Sequence, residues 1–367
     1  MASLRWFKPA RLTALGFILL ILSGTALLCM PFASADRTAT PVMDALFTAT
    51  SATTLTGLVT VDTGGHWNLF GQVIVLALIQ VGGLGIMSIT SLTGMLLTGR
   101  VNLRSRHSTA AEGRPILEGG VRATLVATLL LTLGFELLVA TVLFFRFLLH
   151  YDMPVHRAAW EGIFHAISGF NNAGFGLRSD SLISYHTDGW ILLPLAGALM
   201  TGGLGYPVLS ELMARLRERI RGMVHGTPVS SRRLSVTTRM TLTGTAFLVF
   251  TATLLIAVLE WQGLLSGMAT GTKLLNAFFS GVTPRTAGFN SIDYADAHPI
   301  TLMVTYIYMF IGGGSAGTAG GIKLTTAIVL VAAMAAEFAG RDQTTVGKRT
   351  VPKSVVRQAM TVAAAGV

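Results

Sequence analysis

Cysteine is almost absent: Cys29 is the only one among 367 residues. That excludes an internal disulfide framework and any thiolate metal site within the chain, and leaves Cys29 as a small apolar helix residue. Charge is scarce as well. Asp, Glu, Lys and Arg make up 12% of the residues against 51% hydrophobic ones, about half the charged share of a typical soluble domain. Such a chain lacks the polar surface to stay soluble as one globule. No H-E-x-x-H and no paired carboxylates occur in its apolar stretches, and Glu161 and His165, one helical turn apart, have no third ligand beside them. An intramembrane protease is therefore unsupported. No cleavable leader is expected, because the apolar run from Leu12 to Leu28 is of spanning length and no A-x-A-like site follows it.

What the chain does have is a series of apolar runs, each long enough to cross a hydrocarbon core of about 30 Å as a helix. Spans are expected near 11–30, 67–98, 120–149, 188–214, 236–260 and 299–338, with a further apolar segment beginning near Val355. The formal charge of +10 does not mark a nucleic-acid binder. Of 27 Lys and Arg residues, 20 fall in four stretches beside the spans: Arg5–Arg11, Arg100–Arg122, Arg215–Arg239 and Arg341–Arg357. Acidic residues such as Asp36, Asp62, Asp152, Asp188, Asp293 and Asp296 occupy the loops between them. This asymmetry puts the basic stretches and the N-terminus in the cytoplasm, and Trp67, Trp160, Trp190 and Trp261 at the outer interface.

One unit recurs three times: an apolar helix, a short re-entrant segment ending at a glycine, and a second apolar helix carrying a glycine cluster. The glycines are Gly57 in Thr56-Gly57-Leu58, Gly174 in Ala173-Gly174-Phe175 and Gly288 in Ala287-Gly288-Phe289, at intervals of 117 and 114 residues. Ten positions before them stand Phe47, Phe164 and Phe278, and eight before them Ala49, Ala166 and Ser280. The stretch preceding each glycine is helix-compatible but too short to span, so it reads as a pore half-helix. The glycine clusters are Gly82-Gly83-x-Gly85, Gly202-Gly203-x-Gly205 and Gly312-Gly313-Gly314. The last opens a run through Gly317, Gly320 and Gly321 that cannot be a comfortable helix, since each interior glycine costs about 1 kcal/mol. An unwound loop at membrane depth must be buried in protein or line a water-filled cavity.

This pattern suits a dehydrated cation. Backbone carbonyls replace its water shell without a fixed counter-charge that would trap it, and glycine reaches the backbone angles that aim several carbonyls at one axis. The C-terminal, partly negative end of each half-helix favours cations below it. Asp62 and Asp293 lie five residues, and Asp180 six, beyond their glycines. They are either ordinary solvated loop acids or mouth charges that raise the local cation concentration. Gly312-x-Gly314-x-x-Gly317 matches a dinucleotide fingerprint, but its flanks are membrane-length and nearly uncharged, which excludes a βαβ unit.

Thr56-Gly57-Leu58-Val59-Thr60-Val61-Asp62, Gly169-Phe170-Asn171-Asn172-Ala173-Gly174-Phe175, Thr286-Ala287-Gly288-Phe289-Asn290 and the 312–326 segment resemble the Trk/Ktr/HKT superfamily of potassium transporters, most of all the bacterial Ktr-type membrane subunit. The resemblance covers nearly the whole chain. It implies an all-α polytopic protein of the bacterial inner membrane, with helix, half-helix and helix units around a pseudo-fourfold pore. No enzymatic activity is expected. The resemblance further implies an ion-binding filter at Thr56, Gly57, Leu58, Asn172, Ala173, Gly174, Phe175, Thr286, Ala287, Gly288 and Phe289, and a gate at Gly312, Gly313, Gly314, Ser315, Gly317, Gly320, Gly321 and Lys323. Potassium is the expected substrate, with sodium a candidate coupling ion and no bound cofactor. A homodimer docked on a cytoplasmic nucleotide-binding regulatory ring is the implied assembly.

On this reading the repeats divide at 1–98, 99–235 and 236–340, and 341–367 begins an incomplete fourth unit. A family pore has four such repeats, so the alternative is a non-conducting or assembly subunit. Three charges stand out. Lys323 is the only charge between His298 and Glu337, which makes it a gate or pore-facing candidate. Glu136 lies mid-span, as a structural carboxyl or an ion-coupling one, and Arg285 is expected to face the mouth beside the third loop.

Overall fold

The computed structural model describes residues 9–99, 120–226, 234–341, 343–346 and 349–366. The basic residues at 1–8, 100–119, 227–233 and 347–348 lie outside the described residues. The described chain is helical: α1 Pro9–Leu28, α2 Val42–Thr54, α3 Thr63–His66, α4 Leu69–Gly99, α5 Gly120–His150, α6 Val155–Phe170, α7 Gly189–Leu204, α8 Tyr206–His225, α9 Val236–Glu260, α10 Thr270–Val282, α11 Pro299–Phe310, α12 Leu324–Phe338 and α13 Lys353–Gly366. Two-residue strands, Thr345–Val346 and Arg349–Thr350, form a small antiparallel hairpin before α13.

The three expected half-helices are α2, α6 and α10, with 13, 16 and 13 residues. Each is followed by a turn back rather than by a continued helix. Among the described residues, Leu125–His150 of α5 and Val236–Glu260 are each long and apolar enough to cross a bilayer. Helix α9 shows how the chain meets its solvent. Phe247, Phe250, Leu254 and Val258, a stripe at helical spacing, are exposed, whereas the opposite face of Thr238, Thr241, Thr245, Val249, Ala252 and Ile256 is buried. Apolar side chains outside and small or hydroxyl side chains inside are the arrangement that lipid favours, because only close packing and hydrogen bonding drive helices together there.

Two expected spans are not continuous. The span at 188–214 breaks at Gly205 (φ 87°) into α7 and α8, which are bent by 109°. The span at 299–338 opens into α11, a loop over 311–323 and α12. The two breaks satisfy one another. The amides of Gly314 and Thr318 donate to the carbonyls of Gly203 and Gly202 at 2.8 and 3.2 Å, and the amide of Tyr206 donates to Ala316 at 3.4 Å. Backbone groups freed at membrane depth are thus paired inside the protein, as the absence of water there requires.

Of the tryptophans expected at the outer interface, Trp67 is 1% exposed and packs within the first repeat, whereas Trp190 is exposed. Arg146 donates from Nε to Asp188 at 2.7 Å, and Tyr151 donates to the same oxygen at 3.1 Å. Together they fix the C-terminal end of α5 against the start of α7.

Candidate ion pathway

The three glycine loops share one backbone geometry. Gly57, Gly174 and Gly288 have φ of 80°, 74° and 77°, and the residues two before them, Leu55, Asn172 and Thr286, are also left-handed at 59°, 54° and 65°. A left-handed Thr is a genuine outlier, since a β-branched side chain crowds the backbone there. Such strain persists only where the surroundings hold it.

The loops also meet. A Cβ added to Gly57 would lie 2.7 Å from the Ala173 carbonyl oxygen, and one added to Gly174 would lie 2.7 Å from the Cα of Gly288. Only hydrogen at these positions lets the three backbones come together.

Behind the loops, the glycine clusters are contact points that recur from repeat to repeat. A Cβ on Gly82 would strike the Thr53 carbonyl oxygen at 2.1 Å, and one on Gly202 would strike that of Phe170 at 1.7 Å. Thr53 and Phe170 each stand four residues before their loop glycine. The adjacent glycines face the next repeat instead: a Cβ on Gly83 would strike Asn171 Oδ1, and one on Gly203 would lie 3.6 Å from a guanidinium nitrogen of Arg285. Asn171 and Arg285 each stand three residues before their glycine. The repeats are therefore arranged around the loops in chain order.

The residue three before the glycine differs in each repeat. In the first, the Thr54 hydroxyl bonds Thr56 at 2.7 Å. In the second, Asn171 belongs to a buried triad: its Nδ2 donates to Glu136 Oε1 at 3.0 Å, and Gln80 Nε2 donates to Glu136 Oε2 at 3.0 Å. Glu136, 4% exposed, thus positions the amide behind the second loop. In the third, Arg285 is 4% exposed, with Nε and Nη2 unpaired among the described residues. It lies behind its loop, beside Gly203 and the glycine-rich segment, and not at the mouth as expected.

Replacing Glu136 with Gln leaves one carbonyl to accept from two amide donors and sets NH2 against NH2. The expected cost is about 1–3 kcal/mol, read as a lower thermal midpoint in detergent, with Glu136→Leu lower still. An unchanged midpoint for both would show that the triad does not support the fold.

The 311–323 loop is closed at its neck. Gly312 donates to Ile322, Ile322 to Phe310 and Leu324 to Gly313, at 3.0, 3.0 and 2.8 Å. Lys323 sits at the N-cap of α12, and its Nζ donates to the carbonyls of Ala319 at 2.8 Å and Gly317 at 3.5 Å. Ser315 pairs with Thr325 at 3.1 Å. The loop also reaches the glycine loops, through Thr318 to Asn172 and through Gly320 to Thr286. The expected filter and gate positions are therefore neighbours.

The family described as TrkH, cation transport protein, matches residues 12–364. This chain belongs to that family. The Ktr system potassium uptake protein B of Bacillus subtilis is 37% identical over 98% of this chain and 78% of its own length. The potassium/sodium uptake protein NtpJ of Enterococcus hirae is 35% identical over 96% and 75%. The crystal structure of the potassium transporter TrkH from Vibrio parahaemolyticus has the same fold, with a TM-score of 0.67 and 20% identity, covering 94% of this chain and 68% of that one. These relatives of the TrkH family are transporters rather than enzymes.

Within this TrkH-family chain the acids beyond the loops have local partners. Asp62 accepts from the Gly65 amide at 2.7 Å, and Asp293 from that of Ala295 at 3.0 Å; both are exposed. Asp180 pairs with Arg178 at 3.3 Å and with the Ser184 hydroxyl. Burial pushes the Asp180 carboxyl up, but the hydrogen bonds from Ser184 and Arg178 outweigh it and hold the group below its ordinary value. Glu161 and His165 form a pair at 3.3 Å. No group of three or more His, Cys, Asp or Glu side chains fit to hold a metal ion occurs among the described residues.

Sequence reasoning missed Gln80 and Thr318 as site residues. Gln80 carried a signal, as an amide two residues before Gly82 in an apolar span. Thr318 is a small hydroxyl inside a glycine run and has no signature of its own.

Proposed function

We propose that this chain is a potassium uptake subunit that passes dehydrated K+ between the loops at Gly57, Gly174 and Gly288, with the 311–323 loop as its gate. The observation that carries the reading is the convergence of three loops with one repeated backbone geometry, stacked directly on that unwound loop. In an extended strand successive carbonyls alternate sides. Left-handed residues at alternate positions turn the peptide planes so that neighbouring carbonyls share a side, which gives a cation a ladder of oxygens. The half-helices α2, α6 and α10 end at these loops and contribute the negative ends of their dipoles.

On this reading Thr56, Gly57, Leu58, Asn172, Ala173, Gly174, Phe175, Thr286, Ala287, Gly288 and Phe289 form the filter. Asp62, Asp180 and Asp293 set the potential at its mouth while capping their turns. The basic stretches support a cytoplasmic N-terminus. Likeness to the Ktr-type relatives supports a homodimer docked on a cytoplasmic nucleotide-binding ring.

Expression in a host that lacks its own potassium uptake tests the function. Growth at limiting potassium is expected, and failure to grow with the protein correctly inserted would favour the non-conducting reading.

Lys323 provides a test of the gate. Its ammonium holds the loop curled by donating to two loop carbonyls, and a charge-assisted hydrogen bond contributes about 1.5 kcal/mol. Lys323→Ala should shift the loop toward its open form roughly tenfold and raise potassium flux. Unchanged flux with normal folding would remove the lysine from the gate.

A further inference from the structure

The left-handed residues Asn172 and Thr286 occupy the same place in two loops, and the 311–323 loop holds both. Asn172 Nδ2 donates to Thr318 Oγ1 at 2.9 Å, and the Thr318 hydroxyl in turn donates to the Phe170 carbonyl at 3.2 Å. The Gly320 amide donates to Thr286 Oγ1 at 2.6 Å. Thr318 is 4% exposed, and its own amide is tied to Gly202. In the first loop the equivalent residue is Leu55, whose side chain has no hydrogen-bonding group.

A left-handed conformation costs free energy in any residue but glycine, and most in a β-branched one. Two of the three loops therefore hold their strained residue with bonds from the segment that must move when the pathway opens. Withdrawing that segment takes from Asn172 the nearest of its three acceptors, the others being the carbonyls of Leu199 at 3.2 Å and Phe170 at 3.5 Å, from the Phe170 carbonyl its nearer side-chain donor and from Thr286 the amide it accepts from. A strained backbone released from its braces relaxes, and loop glycines set as close as Gly174 and Gly288 move with it.

We infer that Thr318 is a positioning residue for ion selection: acting through Asn172 and Phe170, it shapes the second loop, so discrimination between K+ and Na+ depends on whether the 311–323 loop is seated. This inference rests on the conduction reading proposed above, and it adds a role that a simple plug lacks. A plug changes how many ions pass. A brace also changes which ones.

The test uses the full chain in liposomes, with the K+/Na+ permeability ratio and the total cation flux measured separately. Thr318→Val keeps the side-chain shape but removes the hydroxyl, and Thr318→Ser keeps the hydroxyl. The Val variant is expected to lower the ratio at least about threefold, and the Ser variant to retain the wild-type ratio. Thr318→Ala removes the hydroxyl without setting a second methyl in its polar surroundings and carries the same expectation should the Val variant fail to accumulate. A hydroxyl-free variant that alters flux while keeping the wild-type ratio would overturn the inference and leave the conduction reading intact. Wild-type protein that passes no cation would overturn the conduction reading, and the inference with it.

Discussion

Gly174→Ala should abolish potassium uptake while leaving the protein in the membrane. The new methyl would sit 2.7 Å from the Cα of Gly288 and 3.1 Å from the Ala287 oxygen, on a residue with φ of 74°. The left-handed conformation alone costs an alanine about 1–2 kcal/mol, and relieving a backbone overlap moves the neighbouring loop as well. Both penalties fall on the proposed ion pathway and leave the helix packing around it unchanged. Uptake is expected to drop by about 100-fold or more, the equivalent of roughly 2.7 kcal/mol. Gly288→Ala meets the Cα of Gly174 at the same 2.7 Å and should behave alike. Gly197→Ala is the control: it lies in α7 with no atom within 4 Å of the added carbon, so wild-type uptake is expected. Normal uptake by Gly174→Ala would place the ion path elsewhere.

Gly202→Ala should instead cost stability. Its methyl would fall 1.7 Å from the Phe170 carbonyl oxygen and 3.0 Å from Thr318 Oγ1. The obstacle is backbone at the end of α6, so no rotamer change clears it, and α7 must move away from the half-helix. Overpacking of this kind reaches the upper end of about 1–3 kcal/mol, and sometimes more. A thermal midpoint lower by several degrees and a reduced yield of folded protein are expected, measured in detergent by unfolding of the purified chain. Gly134→Ala, with nothing within 4 Å, should leave the midpoint unchanged. A wild-type midpoint for Gly202→Ala would mean that α7 does not approach α6 as closely as described.

Period and composition made much of this fold legible. The interval between glycines located the loops, and the short stretches before them became α2, α6 and α10. The column eight residues before each glycine is buried in all three repeats, at Ala49, Ala166 and Ser280, because a half-helix packed on this face accepts only small residues. The phenylalanine column carries less information. Phe164 is buried but Phe47 is 40% exposed, so a repeated residue type does not ensure a repeated environment.

What stayed hidden depends on contacts between distant segments. Three similar glycine clusters gave a continuous helix in α4, a sharp bend at Gly205 and an unwound loop after Phe310. The outcome is decided by which carbonyls a neighbouring segment can satisfy, and those of Gly202 and Gly203 are satisfied by the 311–323 loop, more than 100 residues away in sequence. The partners of Glu136 were equally invisible, since Gln80 comes from α4 and Asn171 from the C-cap of α6, 56 and 35 residues distant. Arg285 was misplaced because a charge beside a loop suggests the outer mouth, whereas the chain turns it back against Gly203.

The most direct test of the central claim is ion competition in liposomes carrying the purified full chain, with potassium, rubidium and sodium offered in turn. A carbonyl-lined path through the three glycine loops predicts uptake of potassium, with rubidium competing close to it and sodium far less. Equal competition by all three ions, or flux that survives Gly174→Ala and Gly288→Ala together, would contradict the claim.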